Sequence, residues 1–163
     1  MTSEEDYDLS PEKETFRSWS GDLSLSEAIK ELVDNAIDNW TRKSDRQEDV
    51  TVNIECNTHE TAVVDDTGGI SEPELDALFK IGGSIDQSGS MSIGGYALGA
   101  KKAIPRLGRL HQDEFICAIV KSQEQGADGG YGFTVDAEWF EKPDWEVGRM
   151  EFTELEEGTT ELV

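Results

Sequence analysis

An α+β sandwich with an antiparallel or mixed sheet is the fold the sequence predicts. Three observations point there. An early segment repeats its apolar residues at helical spacing, several later segments have the length and alternation of strands, and the order runs helix, hairpin, glycine-rich loop, helix, then a succession of strands.

Residues 1–22 are polar and irregular apart from Phe16 and Trp19, and read as an arm ahead of a single domain at 23–163. Ser24-Leu-Ser-Glu27 is a capping box, a hydroxyl followed three residues later by a carboxylate. Leu25, Ala28, Ile29, Leu32, Val33, Ala36, Ile37 and Trp40 then keep the three-and-four spacing of an amphipathic helix. Val50, Val52, Ile54 and Cys56 alternate with polar residues as in a half-buried strand, and a turn at Asn57–Glu60 leads to a second strand at Thr61–Val64. Ser71 and Glu74 form a second capping box, opening a short helix through Phe79. Residues 81–99 are rich in Gly and Ser and lack periodicity. Ala97–Ile104 reads as a helix that stops at Pro105. Phe115–Val120, Gly132–Phe140, Met150–Leu155 and Thr159–Val163 read as strands, with Gly129, Gly130 and Gly158 marking turns.

The chain has 163 residues, with 36 Asp plus Glu against 14 Lys plus Arg, for a net charge of -22. Nucleic-acid binding by bulk charge is excluded, because that needs basic surface to release counterions. Attachment to an anionic membrane is disfavoured for the same reason. The carboxylates are spread along the chain, which favours salt adaptation of an intracellular protein over an acidic mimic of nucleic acid. Cys56 and Cys117 have no metal-ligand spacing and read as reduced core cysteines. No apolar run reaches membrane-spanning length and the acidic first residues do not form a secretion signal, so a cytoplasmic location is expected. His59 and His111 read as surface residues, and Trp19, Trp139 and Trp145 as packing or contact residues.

Chemistry gathers elsewhere. Glu31, Asn35 and Asp38, spaced four and three apart, share one row of the first helix. A solvated polar face is the ordinary meaning of such a row, but Asn is a poor helix-interior residue and both Asn35 and Asn39 sit mid-helix. Three glycine loops follow: Asp65-Asp-Thr-Gly-Gly69, Ile81-Gly-Gly-Ser84, and Ile93-Gly-Gly-Tyr-Ala-Leu-Gly99-Ala-Lys101. Glycines so placed let backbone approach a ligand and offer N–H groups to phosphate. Lys101, Lys102, Arg106 and Arg109 form the one basic cluster, expected at the phosphate end. A P-loop fails by spacing: with Gly94 and Gly99 as its glycines, Ala100 occupies the lysine position.

Taken in order, these motifs resemble the ATP-binding domain shared by gyrase B, the ninety-kilodalton heat-shock chaperone, the histidine kinases and MutL, over about residues 24–163. The resemblance implies the Bergerat fold, a two-layer α+β sandwich whose mixed, mostly antiparallel sheet is covered on one face by helices. It also implies ATP and Mg2+ as ligands. Glu31-Leu-Val-Asp-Asn35-Ala-Ile-Asp38 resembles the first box, with Glu31 as the general base, Asn35 as the magnesium ligand and Asp38 beside the nucleotide. Asp65 through Gly69-Ile70 resembles the second, whose aspartate accepts from the adenine amino group. Gly94, Gly95, Tyr96, Ala97, Leu98, Gly99 and Lys101 resemble the third, a lid over the phosphates. Gly158-Thr159 resembles the fourth, where the threonine supports the adenine site.

Thr67 stands where the second box usually has its first glycine, and Ala97 where the third has one, implying a stiffer lid. Asp66 is an alternative reader of adenine; Asp65 is preferred because it puts Gly69-Ile70 in register. The expected activity is ATP hydrolysis coupled to a conformational switch, closest to the chaperone, MutL and MORC branch. Alternatives are phosphotransfer of the histidine-kinase type and nucleotide binding without turnover. An ATP-dependent homodimer is a further expectation. So is a separate transducer domain supplying a phosphate-contacting lysine, which would leave this domain slow by itself.

Overall fold

The computed structural model describes residues 15, 18, 20–43, 49–79, 98–108, 117–142 and 146–163. The first helix, α1 (Leu25–Lys43), starts where the capping box predicts. The Ser24 N–H donates to the Glu27 carboxylate at 2.8 Å and the Glu27 N–H to the Ser24 hydroxyl at 3.2 Å. Next come β1 (Val52–Cys56) and β2 (Thr61–Asp65), an antiparallel hairpin with Ile54 opposite Val63. Its turn closes through the Asn57 N–H on the Glu60 carbonyl at 2.9 Å. The second capping box opens α2 (Glu72–Phe79), with the Ser71 N–H on Glu74 at 2.8 Å. Then follow α3 (Leu98–Leu107), β3 (Cys117–Ser122), β4 (Gly130–Asp136), α4 (Ala137–Glu141), β5 (Arg149–Phe152) and β6 (Thr160–Leu162).

The strands form one sheet in the order β1-β2-β6-β3-β4-β5, and every pairing among the described strands is antiparallel. The last strand in sequence is thus a central one, inserted between β2 and β3. Its register sets Asp65 opposite Thr160 and Thr160 opposite Ser122, so three strand ends meet at one edge. The core joins Ala28 and Leu32 of α1 and Ala100, Ala103 and Ile104 of α3 to Val63, Ala118, Val120, Phe133 and Val135 of the sheet. Burying such side chains stabilises by up to about 3 kcal/mol each, which holds α1 and α3 to the sheet.

Several expectations are corrected. The segment predicted as one strand through Phe140 ends at Asp136, whose carboxylate accepts from the Trp139 N–H at 2.8 Å and caps α4. Trp139 is buried, with its indole N–H on the Glu146 carbonyl at 3.0 Å, so it packs as expected. The helix predicted to stop at Pro105 continues to Leu107, since proline has a helical φ and forfeits a single N–H bond. Beyond it the Gly108 N–H still reaches the Ile104 carbonyl at 2.9 Å. The alternation of β1 predicts a half-buried strand, yet Ile54 is 45% exposed and Cys56 is exposed and unpaired, not a core cysteine. The reason is position: β1 is the sheet edge, and the core reaches Val63 with Val52 packed at its rim. His59 lies on the surface as expected.

Most of the 1–22 arm, including Phe16 and Trp19, lies outside the described residues, as do Ile81–Ser84, Gly94–Ala97, Arg109, His111, Trp145 and the side chain of Cys117.

Candidate functional site

Asp65 ends β2 and is 8% exposed. Burial pushes its carboxyl above the ordinary 3.8, opposed by bonds from the Thr67 hydroxyl and N–H. Both donors meet the same oxygen, Oδ1, the N–H at 3.1 Å. Asp66 is exposed, and its carboxylate accepts from the Thr51 N–H at 2.6 Å. Of the two neighbours, Asp65 is the one turned into the fold.

The loop after Asp65 is held from three sides. Gly69 has φ +64, and a Cβ there would lie 2.1 Å from the Gln123 carbonyl oxygen, so glycine is required. The Gly68 N–H donates to the Gly158 carbonyl at 2.9 Å, and the Gly158 N–H to the Gln123 carbonyl at 2.9 Å. The Ile70 N–H donates to the Ser122 hydroxyl at 2.8 Å, and that hydroxyl bonds the Thr159 carbonyl at 3.0 Å. Ile70 and Thr159 are both buried. From α1, the buried Asn39 amide donates to the Gly69 carbonyl at 2.9 Å and to the Thr67 hydroxyl at 3.0 Å. Arg42 and Lys43 extend this contact to α2, meeting Glu74 at 3.0 Å and 3.1 Å.

The other end of the site is set by α1 against α3. Glu31 and Asn35 are half-buried and Asp38 is buried. A Cβ on Gly99 would stand 1.9 Å from Glu31 Oε2, so the glutamate side chain occupies the space that the missing side chain leaves in the first turn of α3. Glu31 and Asn39 are eight residues apart on one helix, about 12 Å along the axis at the usual rise. One helix therefore touches both ends of the site.

The structure thus brings together Asp65, Gly69, Ile70 and Thr159 at one end, and Glu31 with Gly99 at the other. Gly94, Gly95, Tyr96 and Ala97 are outside the described residues, and Leu98 is described by its backbone as the start of α3. Lys101 is 1% exposed, and burial pushes its ammonium pKa down. Arg106 donates to the Leu23 carbonyl at 2.6 Å. Of the expected basic cluster, Lys101 is thus buried and Arg106 is engaged with the backbone ahead of α1, while Arg109 lies outside the described residues. Residues the sequence reading missed are Arg42, Ser122 and Gln123, which carried no motif, and the contact made by Asn39, signalled only by an asparagine mid-helix.

No helix among the described residues is long and apolar enough to cross a membrane. The sequence matches, over residues 23–156, a family model described as Histidine kinase-, DNA gyrase B-, and HSP90-like ATPase. No curated protein matches the chain.

Proposed function

The chain belongs to the histidine kinase-, DNA gyrase B- and HSP90-like ATPase family, and from that membership we propose a magnesium-dependent ATP-binding domain that hydrolyses ATP slowly by itself and acts as a nucleotide-driven conformational switch. The observation that carries this reading is the reach of α1, from the Asp65 loop at Asn39 to the first turn of α3 at Glu31.

The donor and acceptor chemistry fits the nucleotide. Asp65 is buried, its Oδ1 is taken by Thr67, and no described residue bonds its Oδ2. Such an oxygen accepts the adenine amino group, a charge-assisted bond of about 1.5–3 kcal/mol. Gly69, Ile70 and Thr159 border that oxygen's loop, and Gly94 through Gly99 with Lys101 would close over the phosphates. Asn35, with Asp38 nearby on the same row, would hold magnesium, an ion that needs few protein oxygens. Bound there, magnesium would neutralise part of the triphosphate charge. Glu31 orients a water and takes its proton, a contribution of about a hundred- to ten-thousandfold.

Calorimetry with ATP and magnesium at high salt, followed by a phosphate-release assay, tests the proposal. Binding with release is expected. Binding without release would leave a nucleotide-binding module, and label transferred to protein would mean a phosphotransfer domain.

A further inference from the structure

Thr67 replaces a usual glycine of the second box, and the structure gives that side chain a connected position. Arg42 can only donate, so the Asn39 carbonyl oxygen must face it, at 3.2 Å. The Gly69 carbonyl can only accept, so the Asn39 amide must face the loop, at 2.9 Å. The orientation of Asn39 is therefore fixed from both sides. Its amide also donates to the Thr67 hydroxyl at 3.0 Å. That leaves the hydroxyl proton for Asp65 Oδ1, which also receives the Thr67 N–H at 3.1 Å. The chain starts on a cation that Glu74 holds at 3.0 Å, and every link donates in the same direction, so the bonds polarise one another.

We infer that Arg42, Asn39 and Thr67 form a hydrogen-bond relay that saturates one oxygen of Asp65 and leaves the other as a single directed acceptor, so that Thr67 and Asn39 are positioning residues for selecting a 6-amino over a 6-oxo purine nucleotide. The inference rests on the reading that Asp65 meets the base. A directed, ionised acceptor attracts an amino group and repels a carbonyl oxygen. Without the relay, the buried carboxyl turns and takes up a proton more readily, and then it can donate to a 6-oxo group. The selectivity therefore resides in the relay as well as in the aspartate.

The test is calorimetry of ATP and of inosine triphosphate, each with magnesium, on the wild type and on T67V, T67S and R42M. The wild type should prefer ATP. T67V, which keeps the shape and loses the hydroxyl, should lose about tenfold in ATP affinity while its inosine triphosphate affinity stays level or rises. T67S should restore the preference, and R42M should shift the ratio in the same direction as T67V but by less. A purely structural role would lower both affinities together. An unchanged ratio in T67V, equal losses for both nucleotides, or a T67S variant that behaves as T67V would each overturn the inference. If T67V does not fold, the R42M ratio decides by the same criterion. A wild type that binds neither nucleotide overturns the ATP-binding reading and the inference with it; wild-type binding with an unchanged variant ratio overturns the inference alone.

Discussion

The two ends of the site are built in different ways. Around Asp65 the backbone itself is fixed: Gly68, Gly69 and Ile70 are bonded to α1, to the end of β3 and to the turn before β6. Around Glu31 the contact is one of packing, a flexible carboxylate laid over a glycine of α3. A rigid cage suits recognition, where an acceptor must keep one direction. A side chain with room to adjust suits the proton transfer proposed for Glu31, since a base must follow the position of its water. The same residue type, glycine, serves both ends for opposite reasons: at Gly69 backbone blocks a side chain, and at Gly99 a side-chain tip does.

The largest effect should come at the Glu31 end. Glu31→Gln should lower phosphate release about a hundred- to ten-thousandfold while calorimetry shows near wild-type ATP affinity; unchanged turnover removes Glu31 as the base. Asn35→Ala should abolish the magnesium-dependent part of binding, and wild-type affinity in magnesium would refute the metal role. A paired substitution sharpens the contrast. Gly69→Ala should destabilise by about 2–4 kcal/mol in urea, from a positive φ and a backbone clash. Gly99→Ala should change stability by less than about 1 kcal/mol, since alanine favours a helix and the carboxylate can move, yet it should lower turnover. Equal stability losses would end the distinction between the two ends.

Acid separates two groups of the cage. The folded pKa of Asp65 lies above 3.8, so within that window the folded state holds more protons than the unfolded one. Its contribution to stability therefore rises as pH falls through the raised value, while ATP affinity falls. Burial pushes Glu74 up, but bonds from Ser71 and Lys43 outweigh it and hold the carboxyl below 4.5. Its stabilisation is present above 4.5 and is lost as pH falls through the lowered value. Melting temperature against pH should thus change in opposite senses for Asp65→Asn and Glu74→Gln relative to the wild type; parallel curves would contradict the assignment. The smallest effect belongs to Lys30, paired with Asp34 at 2.7 Å on the exposed side of α1. Lys30→Ala should leave the melting temperature and both ends essentially unchanged, because an exposed pair is screened by solvent.

What sequence alone determined was local. Both capping boxes, the run of α1 and the β1–β2 hairpin each follow from spacings within a few residues, where backbone sterics and hydrogen bonding act directly. Even so, Asp136 capping α4 and Pro105 inside α3 show that local signals compete, and the outcome depends on what packs nearby. Tertiary structure decided the rest. Placing β6 between β2 and β3 gathers Asp65, Thr160 and Ser122 at one edge. Asn39 meets Thr67 across 28 residues, and Ser122 meets Ile70 across 52. The same packing buries Lys101 and exposes Ile54, against what charge and alternation predict. Such contacts exist only after the apolar surfaces of α1, α3 and the sheet have chosen their partners. That choice is a property of the whole buried core and leaves no mark in any single stretch of sequence.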